Sequence, residues 1–250
     1  MTEALQLHLG AFARLTDDDR ARLARIAARH VREIGPRRDL VREGEKPRAM
    51  ILILDGWAAT YKQLRDGRRQ ITSFLIPGDP GDANVFVLAR LDHSIASITP
   101  VRYAELSQAD FDALVVESPS IARALWGHEL ATASIHREWV LNVGQRTAFE
   151  RIAHLVCELF WKLEAVGLTQ GFRCDWPLTQ ADIAEATGLT SVHVNRTLQQ
   201  MRREGLIEIA GRKLAILNLA RLQCVASFNP DYLHLGGGAA DLGSSSRQGQ

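Results

Sequence analysis

The chain is short of cysteine, of long apolar runs and of net charge, and each shortage excludes a class of protein. Only three cysteines occur among 250 residues, Cys157, Cys174 and Cys224. They make no CxxC pair and no metal-ligand cluster, so the spacing encodes neither a disulfide framework nor a zinc module. The longest purely apolar run, Ala49 to Leu54, falls far below the roughly 18 residues that a membrane-spanning helix needs. No basic segment followed by an apolar one opens the sequence, where Thr16 and Asp17 to Asp19 come early. Both points lead us to expect a cytoplasmic protein with no membrane partner. Lys plus Arg number 30 against 29 Asp plus Glu, a formal charge of +1, so bulk charge gives no sign of a nucleic-acid binder.

What is present is a globular composition, 46% hydrophobic and 24% charged, with apolar material for one large core or two smaller ones. Thr16 and the acidic run behind it cap a helix with Leu23, Ile26 and Ala27 at helical spacing. Between Gly35 and Leu106 come short β-prone runs (50–54, 58–61, 70–76, 94–98 and 103–106), divided by turn signals such as Asp55-Gly56, Asp66-Gly67 and Pro77-Gly78. Short strands with a turn about every 10 residues read as a sandwich or barrel. After Ser107 the texture is helical. Ser118-Pro119 starts a long helix in which Ile121, Leu125, His128, Thr132, Ile135 and Trp139 alternate spacings of four and three. That 3.5-residue repeat is the period of a coiled-coil seam and makes these six residues candidates for dimerisation; packing within the chain's own fold is the other reading. A further amphipathic helix carries Phe149, Ile152, Val156, Leu159 and Leu163 on one face.

The most informative stretch is Pro177 to Ile209, PLTQADIAEATGLTSVHVNRTLQQMRREGLIEI. Thr179 caps a short helix, Gly188 supplies a turn, and a second helix starts at Thr190 or Ser191. At 100° per residue Val194, Leu198 and Met201 share one face of that second helix, leaving Val192, Arg196, Gln199 and Arg203 on the other. Two short helices about a glycine turn, the second with an arginine-bearing face, form the helix-turn-helix plan for the major groove of DNA. Two β-prone runs then flank Gly211-Arg212-Lys213, a hairpin whose cations would meet phosphate. From Thr190 to Lys213 five cations stand against Glu204 and Glu208, so the charge is local.

This segment closely resembles the DNA-binding half of the Crp/Fnr family of bacterial transcription regulators, and the order of elements upstream agrees. The resemblance implies an α+β architecture: a β jelly-roll, cyclic-nucleotide-binding-like sensor over 1–117, a long dimerisation helix and hinge over 118–144, a winged helix-turn-helix domain over 145–235 and a disordered Gly/Ser tail over 236–250. It implies a homodimer on a near-palindromic double-stranded DNA operator, with RNA polymerase as a further partner and no enzymatic activity. Thr179 and Gln180 take the phosphate positions, and Ser191, Val192 and Arg196 face the bases, with His193, Gln199, Arg203, Arg212 and Lys213 around them. A guanidinium can bond both O6 and N7 of guanine, whereas Val192 can only pack against a thymine methyl.

The sensor matches less well. In relatives that bind a cyclic nucleotide, a Gly-Glu pair opens a phosphate cassette that closes with Arg and a hydroxyl residue. Here the matching residues are Gly81, Asp82, His93 and Ser94, with His93 in the arginine's place and Asp92 beside it. A largely neutral histidine and a neighbouring carboxylate weaken a phosphate site, although Arg90 serves if the loop shifts register. His136 and Arg137 fall where the long helix meets the base, a position that also suits a solvated face. A cyclic nucleotide is thus a cofactor that the resemblance names, with a haem on His93 or His136 as the other, and the cassette argues against tight nucleotide binding. Two alternatives remain open at this point: a constitutive regulator with a degenerate sensor, and a cupin-like enzyme, which would need metal ligands although the strand region holds only His93.

Overall fold

The computed structural model describes residues 2–82 and 85–236. Part of the Gly/Ser tail named above, residues 237–250, lies outside them.

Two helices come first, α1 (Glu3–Gly10) and α2 (Asp17–Ala27). Seven strands follow: β1 (Val31–Ile34), β2 (Asp39–Val41), β3 (Met50–Asp55), β4 (Ala58–Gln63), β5 (Arg69–Leu75), β6 (Ser94–Ser97) and β7 (Val101–Leu106). They form two antiparallel sheets, ordered β1-β7-β3 and β2-β6-β4-β5, the jelly-roll arrangement. The sheets close on a small core that includes Ile53, Leu75, Ile95 and Val101. β4 and β5 are a hairpin about Asp66-Gly67, as the turn signal predicts.

α2 is held by a capping box, in which the Thr16 hydroxyl accepts from the Asp19 N–H and the Asp19 carboxylate accepts from Thr16. Asp19 also accepts from the Ser118 and Ser120 hydroxyls, which fastens α2 to the start of the long helix. Partial burial alone would raise the Asp19 carboxyl, but these donors outweigh it and hold the group well below the usual carboxylate range.

α3 (Gln108–Glu117) leads into α4 (Pro119–Gln145), whose 27 residues span about 40 Å at 1.5 Å per residue. The chain turns at Arg146 and Thr147 into α5 (Ala148–Ala165), another helix opened by a capping box, Thr147 with Glu150. Ile152, Val156, Leu159, Phe160 and Leu163 of α5 lie in the largest core cluster. Around that helix sit β8 (Thr169–Gln170), β9 (Arg173–Asp175), α6 (Gln180–Thr187), α7 (Ser191–Arg203), β10 (Ile207–Ala210), β11 (Lys213–Ile216) and α8 (Leu219–Ala226). The last strands form one sheet, β10-β11-β9-β8.

Cys157 and Cys174 are buried, which pushes both thiols up to about 12, while Cys224 is exposed on α8. A thiolate is the reacting species. In native protein a disulfide reagent should therefore titrate one thiol rapidly and the other two only after denaturant is added. Rapid reaction of two or three thiols without denaturant would contradict the packing of α5 and β9.

Candidate DNA interface and effector cavity

The helix-turn-helix is built by local chemistry. Thr179 and Asp182 form a third capping box at the start of α6. Gly188 ends that helix at φ +67°, a left-handed conformation that a side chain would strain. Thr190 then caps α7 through the His193 N–H at 3.2 Å. Val194, Leu198 and Met201 pin α7 to the core, which turns Ser191, Val192, Arg196, Gln199 and Arg203 out to solvent, Val192 at 81% exposure. His193 is half-buried beside them. The guanidinium groups of Arg196, Arg203 and Arg212 make no hydrogen bond or ion pair among the described residues, so two free cations stand on the exposed side of α7 and one at the turn between β10 and β11.

The β10–β11 wing turns on Gly211 and Arg212 alone, both at positive φ, with Ala210 paired to Lys213. Lys213 therefore belongs to the strand and not to the tip, and its ammonium donates to Asp175 across the sheet. The expectation that both cations sit at the tip is corrected accordingly. Thr179 and Gln180 are exposed, but the Thr179 hydroxyl is already committed to Asp182, donating at 2.7 Å and accepting at 3.2 Å.

α6 is also clasped to the jelly roll. Arg37 forks onto Asp182, with Nη2 2.8 Å from Oδ2, Arg69 lies 3.1 Å from Glu185, and Gln70 donates to the Ala186 carbonyl at 3.1 Å. Burial would raise the Asp182 carboxyl, but Arg37 and the Thr179 donors outweigh it and hold the group below its ordinary value.

A cavity of about 940 Å³ lies between β4–β5, residues 79–82, 87–88 and 92–93, and α4. At one end Lys162 donates to Asp79 at 2.9 Å and to the Phe74 carbonyl at 3.0 Å, while His8 Nδ1 lies 3.2 Å from Asp79 and His8 Nε2 2.9 Å from His128 Nδ1. Burial would raise the Asp79 carboxyl, but Lys162, the foremost of the charges around it, outweighs that and holds it below its ordinary value. Burial, reinforced by His8, pushes His128 down to about 3.

Comparison with known proteins follows the same division. The family model described as cyclic nucleotide-binding domain matches residues 31–118, and that described as Crp-like helix-turn-helix domain matches residues 150–225. The nitrogen fixation regulation protein FixK of Bradyrhizobium diazoefficiens is 30% identical over 176 residues, 70% of this chain and 73% of that protein. The transcriptional activatory protein AadR of Rhodopseudomonas palustris is 30% identical over 208 residues, 80% of this chain and 82% of that protein. The chain belongs to the Crp/Fnr family. It is a DNA-binding transcription regulator, which closes the cupin-like alternative. The solved structure of FixK2 from Bradyrhizobium japonicum shares the fold, with a TM-score of 0.68 at 24% identity over 78% of this chain and 96% of that one. No helix of the described residues is long and apolar enough to cross a membrane.

Against this Crp/Fnr frame, the sequence-derived residues divide. Of the effector candidates, Gly81, Asp82, His93 and His136 line the cavity. Arg90 does not: it is exposed and donates to the Gly44 carbonyl at 2.9 Å. Nor does Ser94, whose buried hydroxyl accepts from the Glu43 N–H at 2.9 Å. Arg137 points away on the exposed side of α4.

The six dimerisation candidates are corrected as a group. Ile121, Leu125, His128 and Trp139 are buried within the protomer, and Thr132 and Ile135 are half-buried against the cavity. They face inward because α4 packs its first half against α1 and the β3 side and its second half against α5. The side left open carries Trp126, Leu130, Ala133, Arg137 and Val140, also at spacings of four and three, with Trp126 and Val140 each 74% exposed. Sequence reasoning missed these residues, and it also missed His8, Asp79 and Lys162 at the cavity end. The Trp126–Leu130–Ala133–Val140 period was available as a signal; the convergence of three distant segments on Asp79 was not.

Proposed function

We propose that this regulator acts as a homodimer on a near-palindromic operator, with α7 of each protomer in the major groove of one half-site and an effector in the cavity controlling the pair. The single observation that carries the reading is the trio of unpaired arginines on the exposed side of α7 and at the wing tip. Arg196 reads a guanine edge, with Ser191, Val192 and Gln199 beside it; Arg203 and Arg212 meet phosphate, as do Gln180 and His193, whereas Thr179 spends both its N–H and its hydroxyl on Asp182 and serves as the cap of α6. Half-sites then lie about one helical turn apart, roughly 34–36 Å. The Arg37–Asp182 clasp supports a route by which the sensor half sets the orientation of the winged helix, and RNA polymerase is the partner through which binding alters transcription. The exposed α4 stripe supports the dimer.

The test is selection of operator fragments from random duplex DNA, followed by titration against salt. Arg212→Ala should weaken binding to all sequences alike and reduce the salt slope by about 1. Lys213→Ala should change it less, because Asp175 already partners its ammonium. Failure to enrich any sequence over bulk DNA would overturn the operator reading.

A further inference from the structure

We propose that the cavity takes an uncharged, mainly apolar small molecule, aromatic or alicyclic, and that the DNA-binding half forms part of its wall and reads its occupancy directly. This rests on the reading of the cavity as the effector site.

The first argument is charge. Among the described residues the cavity is lined by two lysines, Lys62 and Lys162, against four carboxylates, Asp79, Asp82, Asp92 and Glu129, and by no arginine. Both lysines are engaged. Lys62 bonds Glu43 at 2.6 Å and the Asp92 carbonyl, and Lys162 bonds Asp79 and the Phe74 carbonyl. Desolvation lowers His8, His128 and His136 from their ordinary values, so these rings add no positive charge at neutral pH, and the fourth ring on the wall, His93, is engaged by Asp92 at 2.8 Å. An entering anion would meet carboxylates and two lysines already engaged, a poor exchange for its hydration.

The second argument is surface and size. Ile71, Leu75, Ala131, Ile135, Trp139 and Leu233 supply apolar wall. A volume of about 940 Å³ lies in the range of small-molecule sites, roughly 300–1,000 Å³.

The third argument is what the wall is made of. Lys162 belongs to α5, and Leu233 and Leu235 follow α8, so the DNA-binding half closes part of the cavity itself. Trp139, on the α4 wall, donates its indole N–H to Glu158 at 2.9 Å, and Tyr232 donates to the same carboxylate at 2.7 Å. Glu158 and Lys162 are one turn apart on α5. A molecule seated against Trp139 and Lys162 therefore acts on the first helix of the DNA-binding half at two adjacent points.

The test uses the full chain and two dyes with one ring system, neutral N-phenyl-1-naphthylamine and anionic 8-anilino-1-naphthalenesulfonate. The neutral dye should bind saturably, one per chain and about tenfold or more tighter than the sulfonate. Thr132→Trp, which sets an indole on the α4 wall of the cavity, should weaken that binding about tenfold or more with its unfolding midpoint retained. No saturable neutral-dye binding, equal or tighter binding of the sulfonate, or undiminished binding to Thr132→Trp would overturn the ligand class. The neutral dye should also shift operator affinity about tenfold in the wild type and less than about threefold in Glu158→Gln, with dye binding unchanged. An equal shift in that variant would overturn direct reading through α5. If cyclic AMP and not the neutral dye fills the cavity and shifts operator affinity, the effector-site reading stands and the ligand class fails. If the neutral dye binds in the cavity and operator affinity does not move, the effector-site reading fails and the ligand class stands.

Discussion

Leu130→Glu should convert the protein to a monomer in sedimentation and lower operator affinity by more than about 100-fold. Leu130 is 70% exposed, so the substitution buries no charge within the protomer and should leave its unfolding midpoint nearly unchanged. A lone exposed leucine is ordinary, but Trp126, Leu130, Ala133 and Val140, interrupted only by Arg137, follow a 3.5-residue period along a helix of 27 residues. Such a stripe fits a second copy of itself about a two-fold axis, where residue 130 approaches its own equivalent. Two glutamates there would repel in a desolvated seam. The operator loss follows because a monomer holds one half-site, and the second contact no longer benefits from being tethered to the first. Val116→Glu is the control, since Val116 is at least as exposed, at 80%, but lies on α3 and not on the stripe; it should remain dimeric. A Leu130→Glu protein that sediments as a dimer at micromolar concentration would show that the seam is elsewhere.

The error over this helix shows what periodicity does and does not encode. Both sides of α4 carry the same 3.5-residue repeat, one from Ile121 to Trp139 against the protomer's own core and one from Trp126 to Val140 on the side proposed to meet a second copy. Spacing reports that a face is buried and not by what. His128 was the discriminating residue: its ring is satisfied by His8, 120 positions away, so a polar group that looks like a register device in a seam is an internal contact. The helix-turn-helix was legible for the opposite reason. Its capping box at Thr179 and Asp182, its left-handed Gly188 and its inner face of Val194, Leu198 and Met201 are all determined within about two turns of chain. Strands β8 and β9, of two and three residues, have too little length to show a period, and β1 is mostly exposed and shows no alternation. The cavity lay beyond sequence reasoning because its polar end joins α1, the turn after β5 and α5. The cassette residues pointed to it, but only Gly81, Asp82 and His93 of the four reach it.

Arg196→Ala should lower affinity for the selected operator by about 1–3 kcal/mol, roughly 5- to 150-fold, and relax the preference at one base pair in each half-site. The size follows from the geometry of the unbound protein. The guanidinium has no partner among the described residues, so binding breaks no internal contact to free it, and its loss leaves no buried group unsatisfied in the folded chain. The deficit should thus appear in binding alone, with the unfolding midpoint unmoved. A bidentate contact to guanine also predicts that Arg196→Lys recovers only part of the loss, since an ammonium supplies charge without the fork. Phosphate contact would behave differently: Arg196→Lys would restore most of the affinity, and the loss would be the same on operator and random DNA. Footprinting of the wild type and the two variants on operators changed one base pair at a time separates the two outcomes. A uniform loss with full rescue by lysine would move Arg196 from the base edges to the backbone and leave Ser191, Val192 and Gln199 as the readers of sequence.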